Sequence, residues 1–204
     1  ITSYDAAKRK IAETDQAGRV TQFAYDAVAR LVRVTDAAGS IIAYTYDALG
    51  NRISQTDANN HTTQLTYDLL GRVIKRTRPL GQFETFTYDA NGNQLSHTDF
   101  NGQAISYTYD ANNRQVAKIL PGGTVVSFAY TPTGLRTAAG GDAYVYDAMA
   151  RLVRETKANG DILIYTYDPA GNRSSVTTPQ GTTTSTYDAL NRLATVVDTT
   201  TGTT

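Results

Sequence analysis

The amino-acid sequence predicts an all-β fold: a long, curled antiparallel sheet built from tandem β-hairpin repeats. Three observations predict it. Tyr-Asp pairs recur with a 21-residue period along the 204 residues. Each tyrosine ends a short stretch in which large and small side chains alternate with period two, the spacing of a strand. Turn-forming residues, chiefly Asp, Gly and Asn, stand at fixed offsets between these stretches.

The pairs are Tyr4-Asp5, Tyr25-Asp26, Tyr46-Asp47, Tyr67-Asp68, Tyr88-Asp89, Tyr109-Asp110, Tyr146-Asp147, Tyr167-Asp168 and Tyr187-Asp188, with Tyr130-Thr131 as a degenerate copy. The intervals are 21 residues six times, then 16, 21 and 20. Two residues before the tyrosine stand Phe23, Tyr44, Leu65, Phe86, Tyr107, Phe128, Tyr144 and Tyr165; Thr2 and Ser185 depart from the rule. A small residue separates the pair, as in Tyr44-Thr45-Tyr46, which puts both rings on one strand face. A helix would send positions i and i+2 to different sides.

Four residues after the tyrosine comes Gly50, Gly71, Gly92, Gly134 or Gly171, or else Asn113 or Asn191. Gly and Asn accept left-handed backbone, and the preceding Asp can bond turn amides. Lys8, Ala29 and Ala150 occupy the same place, so those turns either differ or carry strain. A second strand follows, such as Arg30-Leu31-Val32-Arg33-Val34-Thr35. A second turn, such as Asp15-Gln16-Ala17-Gly18 or Pro121-Gly122-Gly123, closes the copy. Strands joined by turns this short pair antiparallel. One hairpin cannot bury its apolar face alone, whereas hairpins laid side by side can. The recurring tyrosine then forms a file along the sheet, where cross-strand pairs contribute about 0.2–1 kcal/mol each. The short interval between Tyr130 and Tyr146 implies a tightened turn around Gly134 to Gly141.

Ten copies give about 20 strands; at roughly 4.8 Å each the sheet runs about 95 Å, with strands about 17 Å long. Twist accumulated over that many strands predicts a spiral or a wall rather than a flat layer. The expected organisation is a single array over residues 1–204, truncated at both ends from a longer repeat region. Gly202-Thr203-Thr204 matches Gly181-Thr182-Thr183 as though another copy begins, and polar capping segments are missing. Exposed end strands would then favour edge-to-edge self-association.

Composition narrows the function. The 19 basic and 19 acidic residues balance, unlike the basic excess of a phosphate-neutralising nucleic-acid binder. Cysteine is absent, which excludes disulfides and thiolate metal sites. No apolar run approaches the ~18 residues of a membrane span. Ile1 opens in mid-pattern, so a targeting segment is expected outside this chain. Leu, Ile, Val and Phe number 41 of 204, too few for a deep core, while 14 tyrosines add rings with polar tips. That balance points to a sheet with a wet face.

Tyr67-Asp68-Leu69-Leu70-Gly71-Arg72-Val73, with the Gly-Asn-Arg variants Tyr46–Arg52 and Tyr167–Arg173, resembles the rearrangement-hotspot (Rhs) or YD-repeat family over essentially the whole chain. That family includes bacterial polymorphic toxins, shell components of insecticidal toxin complexes, and animal teneurins. The resemblance implies a long sheet wound into a hollow shell, enclosing a C-terminal toxin domain in the toxin members. It also implies export, to a secreted or cell-surface location. Some members release the toxin by an aspartyl autoprotease with paired Asp-Pro-x-Gly-Leu motifs. Here Asp168-Pro169-Ala170-Gly171-Asn172 alone comes near, inside an ordinary repeat, so self-cleavage does not carry over.

Asp89-Ala90-Asn91-Gly92-Asn93 offers spaced oxygens for calcium but lacks the distal Glu of an EF-hand loop; bonds to turn amides explain every copy. His61 and His97 each lie near a turn without a partner at ligand spacing, which reads as exposed loop. No Gly-x-Ser-x-Gly elbow occurs, and a catalytic carboxylate pair would be singular, not periodic. Arg30, Arg72, Arg114, Arg151 and Arg192 beside the tyrosine file could stack sugars or single strands; periodicity favours rings packing on one another. The expectation is therefore a non-catalytic shell segment without cofactor or metal, whose partners are further repeats and an enclosed cargo domain. A cell-surface adhesion or glycan-binding array is the alternative. The residues expected to carry the structural role are Tyr25, Tyr46, Tyr67, Tyr88, Tyr109, Tyr146, Tyr167 and Tyr187, with Gly50, Gly71, Gly92 and Gly171 at the turns.

Overall fold

The computed structural model describes residues 1–200, so the expectation that Gly202-Thr203-Thr204 opens another copy lies outside the described residues. The fold is all-β, with twenty strands from β1 (Thr2–Tyr4) to β20 (Leu193–Thr200) and no helix among the described residues. No helix there is long and apolar enough to cross a membrane. The chain divides into two compact units, Ile1–Ile105 and Ser106–Thr204. In the first, β1 pairs with β2 (Lys10–Thr14), β2 with β3 (Val20–Tyr25), and each strand with its successor as far as β9 (Phe83–Tyr88) and β10 (Gln94–Thr98). In the second, the same antiparallel succession runs from β11 (Ala104–Tyr109), whose first two residues belong to the first unit, to β20.

One five-residue turn recurs at both ends of most hairpins. In Asp26–Arg30 the Asp26 amide donates to the Arg30 carbonyl at 2.9 Å, and the Ala29 amide to the Asp26 carbonyl at 3.1 Å. The closure requires left-handed backbone at the fourth residue, which Gly50, Gly71 and Gly92 supply at φ 91°, 75° and 91°. Lys8, Ala29 and Ala150 adopt it as well, at φ 60°, 66° and 63°. Those three turns therefore keep the common shape and carry the strain, about 1–2 kcal/mol each for a residue with a Cβ.

The pairing also shows a feature that the period alone did not predict. Tyr25 opposes Leu31 while Ala24 opposes Arg33, so Val32 is an extra residue, a β-bulge. The same slip follows Tyr46, Tyr67, Tyr130 and Tyr167, with Ile53, Ile74, Thr137 and Ser174 as the extra residues. A bulge bends its strand and increases local twist. Repeated at one offset, it is part of the repeat.

The short interval is explained by the second turn, not the first. Thr131–Leu135 keeps the five-residue form around Gly134, and the loss falls between β14 (Arg136–Ala139) and β15 (Asp142–Tyr146). Those strands are joined by Gly140-Gly141 alone, both at positive φ (60° and 101°), as a two-residue hairpin requires.

No apolar side chain is fully buried among the described residues; the least exposed residues are Glu84 and Glu155, at 6% and 9%. The tyrosines at the strand ends are half-buried, apart from exposed Tyr4. A sheet without a core must be held by bonds along its own surface.

Candidate functional site

Those bonds run from copy to copy. Asp26 Oδ1 accepts the amides of Val28 at 3.0 Å and Arg30 at 2.8 Å, and Oδ2 accepts Arg30 Nε at 2.7 Å. The Arg30 amide, and then its side chain, hold the Asp26 carboxyl below the ordinary carboxylate range against partial desolvation. In Asp47, Asp89 and Asp168 the side-chain amide of Asn51, Asn93 or Asn172 is the largest cause of the same depression. The spaced oxygens of Asp89 thus face its own turn: Oδ1 takes the Asn93 amide and Oδ2 the Asn93 side chain, both at 2.8 Å.

From that anchored position the arginine reaches forward. Arg30 Nη1 donates to the Asp47 carbonyl at 2.9 Å, and its guanidinium lies 4.8 Å from the Tyr46 ring centroid. Arg72 does the same to Asp89 and Tyr88, and Arg114 to Thr131 and Tyr130. The covered tyrosine reaches backward in turn. Tyr46 Oη donates to the Leu31 carbonyl at 2.7 Å and Tyr88 Oη to the Val73 carbonyl at 2.9 Å. Each acceptor is the residue opposite the preceding tyrosine, immediately before the bulge. One copy is thereby fastened to the next in both directions.

The arginine is not present in every copy. Along the file the residue after the turn's left-handed position reads Arg9, Arg30, Asn51, Arg72, Asn93, Arg114, Leu135, Arg151, Asn172, Arg192, so arginine fills two successive copies and then every second one from Arg30 onward. Tyr67, Tyr146 and Tyr187 follow the copies without it, and their hydroxyl bonds to Arg52, Arg136 and Arg173 carbonyls are exposed. Those of Tyr46, Tyr88 and Tyr167 are half-buried. The rings of Tyr25, Tyr46, Tyr88, Tyr130 and Tyr167 each lie under the guanidinium of the preceding copy, where packing of ring on ring was expected.

Gly50, Gly71, Gly92 and Gly171 lie at the first turns as expected, and each named tyrosine ends a strand. His97 does not lie in a loop. It is in β10, stacked on Phe86 with ring centroids 4.7 Å apart, and its Nε2 is 2.9 Å from Glu84 Oε2. Arg76 Nη1 stands 2.8 Å from Glu84 Oε1 as an ion pair, at an angle that makes no hydrogen bond. His61 remains beside its turn, exposed, 3.5 Å from Asp57.

A second singular cluster joins Asp142, Glu155, Lys157 and Tyr165. Lys157 Nζ bridges Glu155 and Asp142, which hold the ammonium well above its ordinary range. Tyr165 Oη donates to Glu155, and burial first, then that bond, raises its hydroxyl. Both clusters break the repeat at readable offsets. Four residues before the tyrosine stand Thr21, Ile42 and Thr63, but Glu84 and Asp142 in these copies.

The family described as Teneurin YD-shell matches residues 6–140, and that described as RHS Repeat matches 146–183 and 167–204. Among curated proteins none matches. Solved structures share the fold. A crystal structure of TcdB2-TccC3 superposes with a TM-score of 0.73 at 19% identity, covering 96% of this chain and 13% of that chain. The same complex without its hypervariable C-terminal region gives 0.72, with the same identity and coverage. A variant of the Photorhabdus luminescens Tc holotoxin pore gives 0.53 at 18% identity, covering 95% of this chain and 13% of that chain. The chain thus spans about 13% of the length of these structures.

Proposed function

Because the chain belongs to the Teneurin YD-shell and RHS Repeat family, we propose that it is a non-catalytic length of β-shell wall that encloses a C-terminal toxin domain of its own polypeptide. The observation that carries this reading is the use of the motif residues. The turn aspartate, the following arginine or asparagine, and the tyrosine hydroxyl are each bonded within the copy or to the next one. The groups that could have served as acid, base or ligand serve to extend a surface instead. Export to the cell exterior as part of a larger bacterial protein belongs to the same proposal, as do the tyrosines and turn glycines as the residues that hold the wall.

Support comes also from TcdB2-TccC3, solved with Cdc42, with TEV, and without a hypervariable C-terminal region. A C-terminal region named as hypervariable and dispensable for the rest of the structure agrees with the division of labour proposed here. The test is limited proteolysis of the full-length polypeptide that carries these repeats. The C-terminal segment should resist digestion while the sheet is folded and become cleavable once urea opens it. Equal digestion in both states would refute enclosure.

The second reading, an adhesive or glycan-binding array, draws on the tyrosine rings without guanidinium cover, Tyr67, Tyr146 and Tyr187. A transmembrane span and disulfide-rich modules in the full polypeptide would favour it.

A further inference from the structure

Three turns of the five-residue form place an asparagine just before their left-handed glycine: Asn91-Gly92, Asn101-Gly102 and Asn159-Gly160. In such a pair the asparagine carboxamide can close on the next backbone nitrogen, because glycine has no side chain to screen it. All six residues are exposed, and the space a Cβ would occupy on each glycine is open. While the turn is closed, the glycine amide donates to the carbonyl three residues earlier, at 3.2, 3.0 and 2.9 Å respectively. That bond shields the three nitrogens alike, so cyclisation proceeds through local opening of the turn. The outcome of an opening then depends on what holds the carboxamide.

Here the three turns differ. Asn159 is tied twice to Asp161: its Nδ2 donates to Oδ2 at 2.8 Å, and its Oδ1 accepts the backbone amide at 3.0 Å. The residue before it is tied as well, since the Ala158 amide donates to Asp142 Oδ1 at 2.9 Å. In the turn of Asn91, Asn93 braces both oxygens of Asp89. The turn of Asn101 has neither aid. Asp99 Oδ1 accepts the amides of Asn101 and Gln103, at 2.8 and 2.9 Å, but among the described residues no side chain bonds Asp99 Oδ2 and none holds the Asn101 carboxamide. The Arg78 guanidinium, 3.6 Å from the Phe100 ring centroid, steadies the residue before Asn101 and not its side chain.

We propose that Asn101 is a site of spontaneous deamidation. The Gly102 nitrogen, its proton lost to solvent base, attacks Asn101 Cγ. The bond from Cγ to Nδ2 breaks, and ammonia leaves with a proton from solvent. Water then adds to one of the two carbonyls of the resulting five-membered imide and opens it, giving an aspartyl or an isoaspartyl residue. Water is the sole co-reactant. The isoaspartyl product runs the backbone through the former side chain, one carbon longer, so the bond from the Asp99 amide to the Gln103 carbonyl, which closes the turn ahead of β11, loses its five-residue geometry. Either product adds a negative charge beside Asp99. The chemistry does not depend on whether the wall encloses a cargo.

The test incubates the 204-residue chain at neutral and mildly alkaline pH and follows the amide-to-acid mass gain in each Asn-Gly peptide, with chromatography to separate isoaspartyl from aspartyl products. Asn101 is expected to convert about tenfold faster than Asn159, the worth of the two hydrogen bonds that hold the latter. In urea, with the turns open, the two rates should converge. Asp161→Ala removes the carboxylate that holds Asn159 Nδ2 and should speed conversion at Asn159 while leaving Asn101 unchanged. Asn101→Gln, whose longer side chain would have to close a six-membered ring, should abolish acid formation at that turn with circular dichroism unaltered. Equal rates in the folded chain, a difference that persists in urea, or an Asn159 indifferent to Asp161→Ala would overturn the proposal.

Discussion

If arginine is the forward tie between copies, Arg72→Ala should loosen the copy that follows it more than its own. Three contacts are lost. The Arg72–Asp68 pair, at 2.7 Å with both side chains about three-quarters covered, is worth about 0.2–1 kcal/mol. The bond from Nη1 to the Asp89 carbonyl, at 2.9 Å, adds about 0.5–1.5 kcal/mol. The guanidinium 4.7 Å from the Tyr88 ring adds about 0.5–1 kcal/mol. Release of the arginine's side-chain entropy offsets about half of the total, leaving a net loss of about 0.6–1.8 kcal/mol. Arg192→Ala is the control. Its side chain pairs with Asp188 at 2.7 Å but is 73% exposed, so its removal should cost less than about 0.5 kcal/mol. Repeat arrays need not unfold in one step, so native-state hydrogen exchange is the assay of choice. The Gly92 amide, bonded to the Asp89 carbonyl at 3.2 Å, reports the following turn, and the Gly71 amide reports the arginine's own. Equal losses in the two variants, or a Gly92 amide unaffected by Arg72→Ala, would refute the ladder.

Two further outcomes follow from the turns. Ala29→Gly and Ala150→Gly should each stabilise the chain by about 0.5–1 kcal/mol in urea denaturation, because relief of left-handed strain exceeds the entropy that glycine adds to the unfolded state; Gly50→Ala should do the reverse. Acid should open the sheet: the turn carboxyls of Asp26, Asp68, Asp110 and Asp147 are depressed in the fold, so their stabilisation is complete above the unfolded carboxylate range. It is lost as pH falls from about 5 through the folded values, so circular dichroism constant from pH 7 to pH 2 would contradict it.

The sequence carried the element order almost completely, because every second strand ends on the same tyrosine and most turns use one backbone form. Period-two alternation around Phe23, Tyr44 and Phe86 was enough to place the strands. The bulge was illegible, since Val32, Ile53 and Ile74 look like ordinary strand residues, and a slip in pairing is visible only from the partner strand. The strained turns at Lys8, Ala29 and Ala150 were left open because sequence cannot say whether a neighbouring ladder overrides local preference. His97 was misread for a related reason. Its closeness to the turn at Asp99 suggested a loop, while its place depends on Glu84, thirteen residues earlier and one strand away. The forward reach of Arg30 was likewise hidden, because it spans seventeen residues to Asp47.

The absence of a buried apolar core decides what kind of object these copies can make. A globular domain gains stability as its interior grows, but a single layer tied by contacts between neighbours gains about the same increment with every copy added. Nothing in the ladder sets a preferred number of copies, so length is free to vary. Charge is free as well. Thr131 closes its turn without a carboxylate, and Asn51 holds Asp47 without a guanidinium, so the turn persists where either charge is missing. Each such deletion uncovers a ring on one face without disturbing the pairing beneath it. The change among arginine, asparagine and leucine after the turn therefore varies a uniform scaffold from copy to copy.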